Sequence, residues 1–316
     1  MLTTGSSVTL RVPASSANLG PGFDCVGLAL GLWDEATATV EGEPGLHVEA
    51  TGEGAEAVPR DEQHLVVRSM HAMWRRLGVQ PPAGLSLRTR NGVPHGRGLG
   101  SSATAIVTGT ALAYGLAARS GLVAPAQGLL DLDVVNELAS ALEGHPDNAS
   151  ASVFGGATLS VTEPVDGAGG SPATTTVPLA LHPDLGAVVL VPEATLSTTT
   201  ARAVLPPSVA LETAAASTAR GAMLVHALTT DPSALMAGTT DLLHQEARRA
   251  SYAPSMALLD TLRAAGHAAT ISGAGPSVLV LTTAGEQARA EIADLAGDRW
   301  RVLAPGVPTC GVHEVQ

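Results

Sequence analysis

The sequence predicts an α+β chain folded as two layered domains, and three observations carry the prediction. Strand-like and helix-like segments are mixed within two blocks rather than alternating strictly. A Gly/Ala/Ser stretch at 166–171 separates the blocks as a linker would, which sets one domain at 1–168 and another at 169–316. The 316 residues suffice for two ordinary domains, and a 45% hydrophobic content supplies their cores. Aromatics make up 2%, so those cores must be built from closely packed Ala, Val and Leu.

Taken in order, 8–12 is a short β-type run that breaks at Pro13. The stretch 14–25 reads as a polar loop punctuated by Gly20-Pro21-Gly22, with the Asn, Ser and Asp content of a binding loop. Strands are expected at 28–40, 46–51 and 84–90. A helix at 62–77 falls between the last two. Its stripe is Leu65, Val66, Met70, Met73, Trp74 and Leu77, and Gly78 stops it. A glycine-dense turn then leads into helix 103–118. A helix at 132–142 is ended by Gly144, and Pro146 bars its continuation. Strand 157–161 completes the first block. The second opens with strands 175–181 and 187–191. Helices are expected at 199–204, 209–229, 232–248 and 255–265. The apolar segment 268–272, a glycine loop at 273–277, strand 278–282, helix 286–295 and strand 301–304 finish the chain.

The turn Gly96-Arg97-Gly98-Leu99-Gly100-Ser101-Ser102 is the centre of the functional reading. Its glycines can take positive φ and let backbone approach a ligand without a Cβ in the way. Ser101 or Ser102 stands where a helix N-cap belongs. A helix start offers free N–H groups to an anion such as phosphate, and two hydroxyls there can reach a phosphate-bound Mg²⁺. The dinucleotide fingerprint does not fit, because its sixth position is Ser101. A Walker A loop does not fit either, because the chain has no lysine. A net charge of −12 argues against a nucleic-acid or anionic-membrane surface. Cys25 and Cys310 are too few for a disulfide framework. With no signal-peptide pattern and no membrane-length apolar run, a cytoplasmic protein is expected.

Three segments together resemble the superfamily of small-molecule kinases named for galactokinase, homoserine kinase, mevalonate kinase and phosphomevalonate kinase. They are 12–28, with Ala-Asn-Leu-Gly-Pro-Gly-Phe-Asp; 94–105, with Gly-Leu-Gly-Ser-Ser-Ala; and 271–281, with Ser-Gly-Ala-Gly-Pro-Ser. Asn-Leu-Gly-Pro-Gly-Phe-Asp at 18–24, Glu-Gly-His-Pro-Asp-Asn at 143–148 and Ser-Thr-x-x-x-Arg at 197–202 are similar to its homoserine-phosphorylating branch. The resemblance implies a ribosomal-S5-like N-terminal domain, a ferredoxin-like C-terminal domain and a site between them. It implies transfer of the ATP γ-phosphoryl group to the side-chain hydroxyl of L-homoserine, in threonine biosynthesis. Threonine, mevalonate or shikimate is the alternative acceptor, and a non-catalytic binding protein the alternative class. A homodimer is left open.

The same resemblance distributes roles. Pro94, Gly96, Arg97, Gly98, Leu99, Gly100, Ser101, Ser102 and Ala103 would surround the nucleotide, with backbone N–H groups of 98–102 on its β- and γ-phosphates. His64, where many relatives carry Asn, would meet the adenine. Glu143 would bind Mg²⁺ with Ser102, since Mg²⁺ needs one or two protein oxygens beside phosphates and water. Asn148 would face the reacting hydroxyl. Asn18 and Asp24 would hold the polar end of homoserine, Asp24 taking the ammonium group. Arg202 and Arg249 would hold its carboxylate through the planar guanidinium fork. Counting back from Pro254 selects Arg249, and counting forward from His244 selects Arg248. The site residues expected to act in catalysis are Glu143, Ser102 and Asn148.

Overall fold

A computed structural model describes residues 1–124, 128–163 and 173–315. The chain opens with an antiparallel hairpin of β1 (Ser7–Asn18) and β2 (Gly22–Glu41). Its register slips at Pro13/Ala14 and again at Ala17/Asn18. The expected loop at 14–25 is therefore mostly strand. Ser15, Ser16 and Ala17 are all buried, with Ser15 bonded to Asn148 and Ser16 to Ser272, so both faces are covered and the alternation of a strand is hidden. The turn is just Leu19-Gly20-Pro21, with Asn18, Leu19 and Asp24 all at positive φ.

Next come β3 (Gly45–Gly52), α1 (Leu65–Leu77) and β4 (Gly84–Asn91). β3 and β4 are parallel, which requires the crossover that α1 provides. The Val66, Met70, Met73 and Trp74 face of α1 packs on α2 (Ser101–Arg119), and Trp74 Nε1 donates to the Ala113 carbonyl at 3.1 Å. α2 is buried along nearly its whole length, as its small, all-round apolar composition requires. α3 (Leu132–Glu143) is capped by the Asp131 carboxylate and ends on Gly144 in the left-handed conformation. α4 (Pro146–Phe154) was not expected: Pro146 ends one helix and starts the next, at the position where a missing N–H costs nothing.

β5 (Ala157–Glu163) pairs with β2 and with β6 (Ala173–Leu179). β5 and β6 are therefore neighbours in one sheet. The expected linker at 166–171 and the boundary at 168/169 lie outside the described residues. The chain changes sheets after β6, whose Val177 and Thr175 still face Leu159 and Val161.

The second layer holds β7 (Gly186–Val191), α5 (Thr198–Ala203), α6 (Leu211–Thr229), α7 (Leu235–Gly238), α8 (Ala253–Ala264), β8 (Ala268–Ile271), β9 (Val278–Thr282), α9 (Gly285–Ala296) and β10 (Arg301–Leu303). Strand order β10-β7-β9-β8, all antiparallel, is the ferredoxin-like βαββαβ arrangement. The continuous helix expected over 232–248 is absent. α7 stops at Gly238, and the Asp241 carboxylate then accepts the N–H groups of Leu243, His244 and Gln245, turning the chain toward the cleft. Finally β11 (His313–Glu314) returns to pair with β1.

One apolar cluster joins the layers: Leu19, Leu28, Leu30 and Leu99 from the first meet Val189, Leu228 and Leu279 from the second. Each fully buried side chain of this size contributes about 1.5–3 kcal/mol. The two walls of the cleft are therefore held as one body.

Candidate active site

Six pieces of chain meet at a cleft of about 180 Å³: the β1–β2 turn, the glycine loop, the α3–α4 junction, the start of α5, Arg248 and the 273–275 loop. Gly96, Gly98 and Gly100 all sit at φ between 65° and 71°, as the sequence requires. A Cβ at Gly98 would collide with the carbonyl of Ser272. One at Gly100 would collide with Ser15 Oγ. The loop is wedged between the two layers.

α2 starts at Ser101, and its N-cap is Gly100 itself, with no side-chain cap. Neither serine caps the helix, contrary to expectation. Gly100 in the left-handed region offers its carbonyl to the Thr104 N–H and leaves the first N–H groups of α2 open. The positive end of a 19-residue helix therefore opens toward the cleft. Ser102 Oγ turns instead to Glu143 Oε2, 2.9 Å away. Burial pushes the Glu143 carboxyl above the usual range and nearby Asp147 adds to this, while His145, Ser102 and Arg202 act against it. A cation beside it would reverse that shift and favour the charged form.

Asn148 lies one turn into α4. Ser15 Oγ donates to its Oδ1 at 3.0 Å, and Ser152 Oγ donates to Ser15 in turn at 3.3 Å. This bond fixes the amide so that Nδ2 is free to donate into the cleft. His145 and Asp147 were quoted in the motif but given no role. Their side chains meet at Nδ1···Oδ1 2.8 Å, and both line the cleft. Burial alone would lower the His145 pKa, but the bond and charge of Asp147 outweigh it and raise the pKa above the ordinary value.

At the opposite end Asp24 takes both arms of Arg202, at 3.1 and 2.5 Å. Both residues are about one-third exposed. Asn18 is beside them, but its amide is engaged: Oδ1 accepts the Asp24 N–H and Nδ2 donates to the Gly273 carbonyl. It holds Asp24 in place and ties the layers together, and keeps one N–H and one lone pair for the cleft that it lines. Arg249 is not in the cleft. It pairs with Glu246 and Asp260 on the surface, because a 3-10 turn at Arg249–Tyr252 points it outward. Arg248 is the arginine that lines the cleft, 1% exposed.

The nucleotide set divides similarly. Gly96, Gly98, Gly100, Ser101 and Ser102 line the cleft, while Leu99 and Ala103 are core. Pro94 and Arg97 line a separate crevice. The Arg97 guanidinium donates to the carbonyls of His95, Pro192 and Glu193, so it anchors the loop to the second layer. His64 falls in a second cavity of about 260 Å³, walled by Val58, Pro59, Leu65, Val66 and Ala105. Burial lowers its pKa, and its Nδ1 has no hydrogen-bond partner. Ser101 and Ser102 line both cavities. A largely apolar cavity thus opens beside a polar one at the start of α2, with space for an aromatic base next to its phosphates.

A glycine loop at an open helix start, set between these two layers, defines the class of small-molecule kinase. Residues 64–156 match the GHMP kinases N terminal domain and residues 224–297 match the GHMP kinases C terminal domain; the chain belongs to this family of phosphotransferases. It is similar to the homoserine kinase of Rhodococcus opacus (strain B4), 49% identical over 286 residues and 89% of each chain. It is also similar to that of Cutibacterium acnes, 45% identical over 92% of this chain and 94% of the relative. The crystal structure of homoserine kinase from Cytophaga hutchinsonii shares the fold at a TM-score of 0.81, with 24% identity over 100% of this chain and 99% of that one.

Proposed function

We propose that the chain transfers the γ-phosphoryl group of ATP to the side-chain hydroxyl of L-homoserine, yielding O-phospho-L-homoserine and ADP, a step of threonine biosynthesis. The observation that carries this reading is the charge layout of the far end of the cleft. Asp24 offers one negative group, and Arg202 and Arg248 offer two positive ones. That is the complement of an α-amino acid, whose side-chain hydroxyl would then point toward the open start of α2.

ATP is the second substrate, with its base in the cavity of His64 and its phosphates on the N–H groups that begin α2. Glu143 and Ser102 fit Mg²⁺ as a half-buried carboxylate and a hydroxyl 2.9 Å apart. Among the described residues no cluster of three or more His, Cys, Asp or Glu could hold a metal without help from a ligand. Bound there with the phosphates, the ion would neutralise charge on the transferring group.

The hydroxyl oxygen forms a bond to the γ-phosphorus as the bond to the β–γ bridging oxygen breaks, and ADP leaves with that oxygen. Asn148 Nδ2 donates to the hydroxyl oxygen and directs its lone pair. In a loose transition state the proton is lost late, so no strong base is required. His145 takes it through Nε2, with Asp147 holding Nδ1. His145→Asn then lowers kcat about a hundred-fold with both KM values kept. A large KM change instead would make His145 a binding group.

The reading is tested by kcat/KM for ATP consumption with homoserine, threonine, 4-hydroxybutyrate, mevalonate and shikimate. Homoserine should lead. Threonine should follow well below, since its hydroxyl is secondary and one carbon nearer the backbone. Equal turnover of mevalonate would move the chain to another branch of its family. Among the described residues no helix is long and apolar enough to cross a membrane.

A further inference from the structure

Arg248 is unusual among the site residues. It is 1% exposed, yet no carboxylate pairs with it among the described residues. Its Nε donates to the Ala201 carbonyl at 2.8 Å, and its Nη1 donates to His244 Nδ1 at 3.0 Å. Arg202, by contrast, is partly exposed and has Asp24 beside it. Its other titratable neighbours are the neutral Tyr252 hydroxyl, which is within its reach, and Arg202, Asp24 and Asp241, none of which is bonded to it.

The neighbours of the two His244 nitrogens fix its tautomer: Nε2 meets only acceptors, the Gly20 carbonyl and, at 3.4 Å, Asp241 Oδ1. Nε2 lies 2.9 Å from the Gly20 carbonyl, which can accept and cannot donate, so Nε2 carries the hydrogen. Nδ1 faces a guanidinium N–H, which donates and cannot accept, so Nδ1 is bare. The ring is therefore neutral. Burial favours that state against the opposing charge of Asp241. Phe23 stacks on the imidazole at 5.1 Å and also lies under Arg248. The guanidinium is thus held along two edges by neutral acceptors, and its remaining N–H groups face the cleft.

A carboxylate at 244 would satisfy Arg248 from within and compete with any incoming anion. A cation there would repel it. A neutral acceptor fixes direction and leaves the charge available. We propose that His244 is a positioning residue for substrate choice: it holds Arg248 aimed into the cleft with its charge uncompensated, so that an α-carboxylate on the substrate is required to complete the pair. This rests on the amino-acid reading of the cleft.

The test pairs two substrates with two isosteric variants. Homoserinol has homoserine's hydroxyl and ammonium groups but a hydroxymethyl in place of the carboxylate. In wild-type protein homoserine should be favoured in kcat/KM by about ten- to a hundred-fold. His244→Asn keeps a neutral acceptor near Nδ1. His244→Asp has the same size and adds the charge. The preference should largely survive in the Asn variant and collapse toward unity in the Asp variant, through the homoserine KM. Thermal melting checks that both variants fold equally. Equal preferences in the two variants would overturn the role of His244 while leaving the kinase reading intact. A wild-type protein indifferent to the carboxylate would overturn the amino-acid reading itself, and this inference with it.

Discussion

Asp24→Asn separates recognition of the substrate from stability of the fold. The change is nearly isosteric. Asp24 sits at φ 57°, a conformation that Asn tolerates as well as Asp, so no backbone strain is added. The Asn18 bond goes to the Asp24 backbone N–H and survives. What is lost is the negative charge facing Arg202 and the incoming ammonium group. The Arg202 pair is one-third exposed on both sides, so solvent screening limits its worth to below about 1 kcal/mol. Losing a charge-assisted bond to the substrate costs about 1.5–3 kcal/mol, or about ten- to a hundred-and-fifty-fold in affinity. The expected result is a rise of that size in the homoserine KM, an ATP KM within about twofold, and a melting midpoint within a few degrees. Initial-rate kinetics with each substrate varied against saturating partner, together with a thermal melt, provide all three numbers. An unchanged homoserine KM would refute the ammonium assignment. A parallel rise in both KM values would show that Asp24 serves the fold.

Three further outcomes follow from the geometry. Glu143→Gln should lower kcat about a hundred-fold or more without loss of stability, since it removes a carboxylate whose burial is costly; near-normal kcat at saturating Mg²⁺ would remove Glu143 from the metal site. Arg248→Ala should raise the homoserine KM about ten- to a hundred-fold, whereas Arg249→Ala, already paired on the surface, should leave it within about twofold; the reverse pattern would contradict the site as drawn. Asp34 is held by the N–H groups of Gly92 and Val93, yet burial pushes its pKa up to about 6. Folding therefore takes up a proton between the unfolded value near 4 and about 6, and stability falls as pH rises through that window. Asp34→Asn should raise the melting midpoint at pH 7.5, where a cost on the order of 3 kcal/mol is relieved, and the gain should vanish near pH 4. An equal gain at both pH values would mean that charge is not the cause.

Periodicity and punctuation made much of this architecture readable. The apolar stripe of α1, Gly78 and Gly144 as helix stops, and the continuous apolar run of β7 are local signals, and the chain obeys them. The misreadings fall where small polar residues are buried to serve the cleft. Ser15, Ser16, Asn148, Ser150 and Ser152 look like loop residues, but all five are buried in β1 and α4, where their polar atoms bond to one another or to Asn136, Thr176 and Ser272. Helix 232–248 failed because Asp241 folds the chain on itself, a bond that no propensity encodes. The glycine loop was legible from residue type, whereas the approach of Ser102 rather than Ser101 to Glu143 followed only from the family resemblance. The choice between Arg248 and Arg249 was not: one residue of register decides which is buried, and a 3-10 turn sets that register. The place of Arg97 beside the nucleotide came from the family resemblance; its hydrogen bonds to three carbonyls depend on the fold and are invisible in residue type.

The most direct test of the central claim places competing alcohols in one reaction. Homoserine and 4-hydroxybutyrate share the terminal hydroxyl and the carboxylate and differ in the amine that Asp24 is assigned to hold. With both present at equal concentration, limiting ATP and Mg²⁺, phosphorus NMR of the products should show O-phosphohomoserine in large excess, with the ammonium-free ester near background. Comparable amounts of the two phosphate esters would contradict an amino-acid site at the Asp24 end of the cleft.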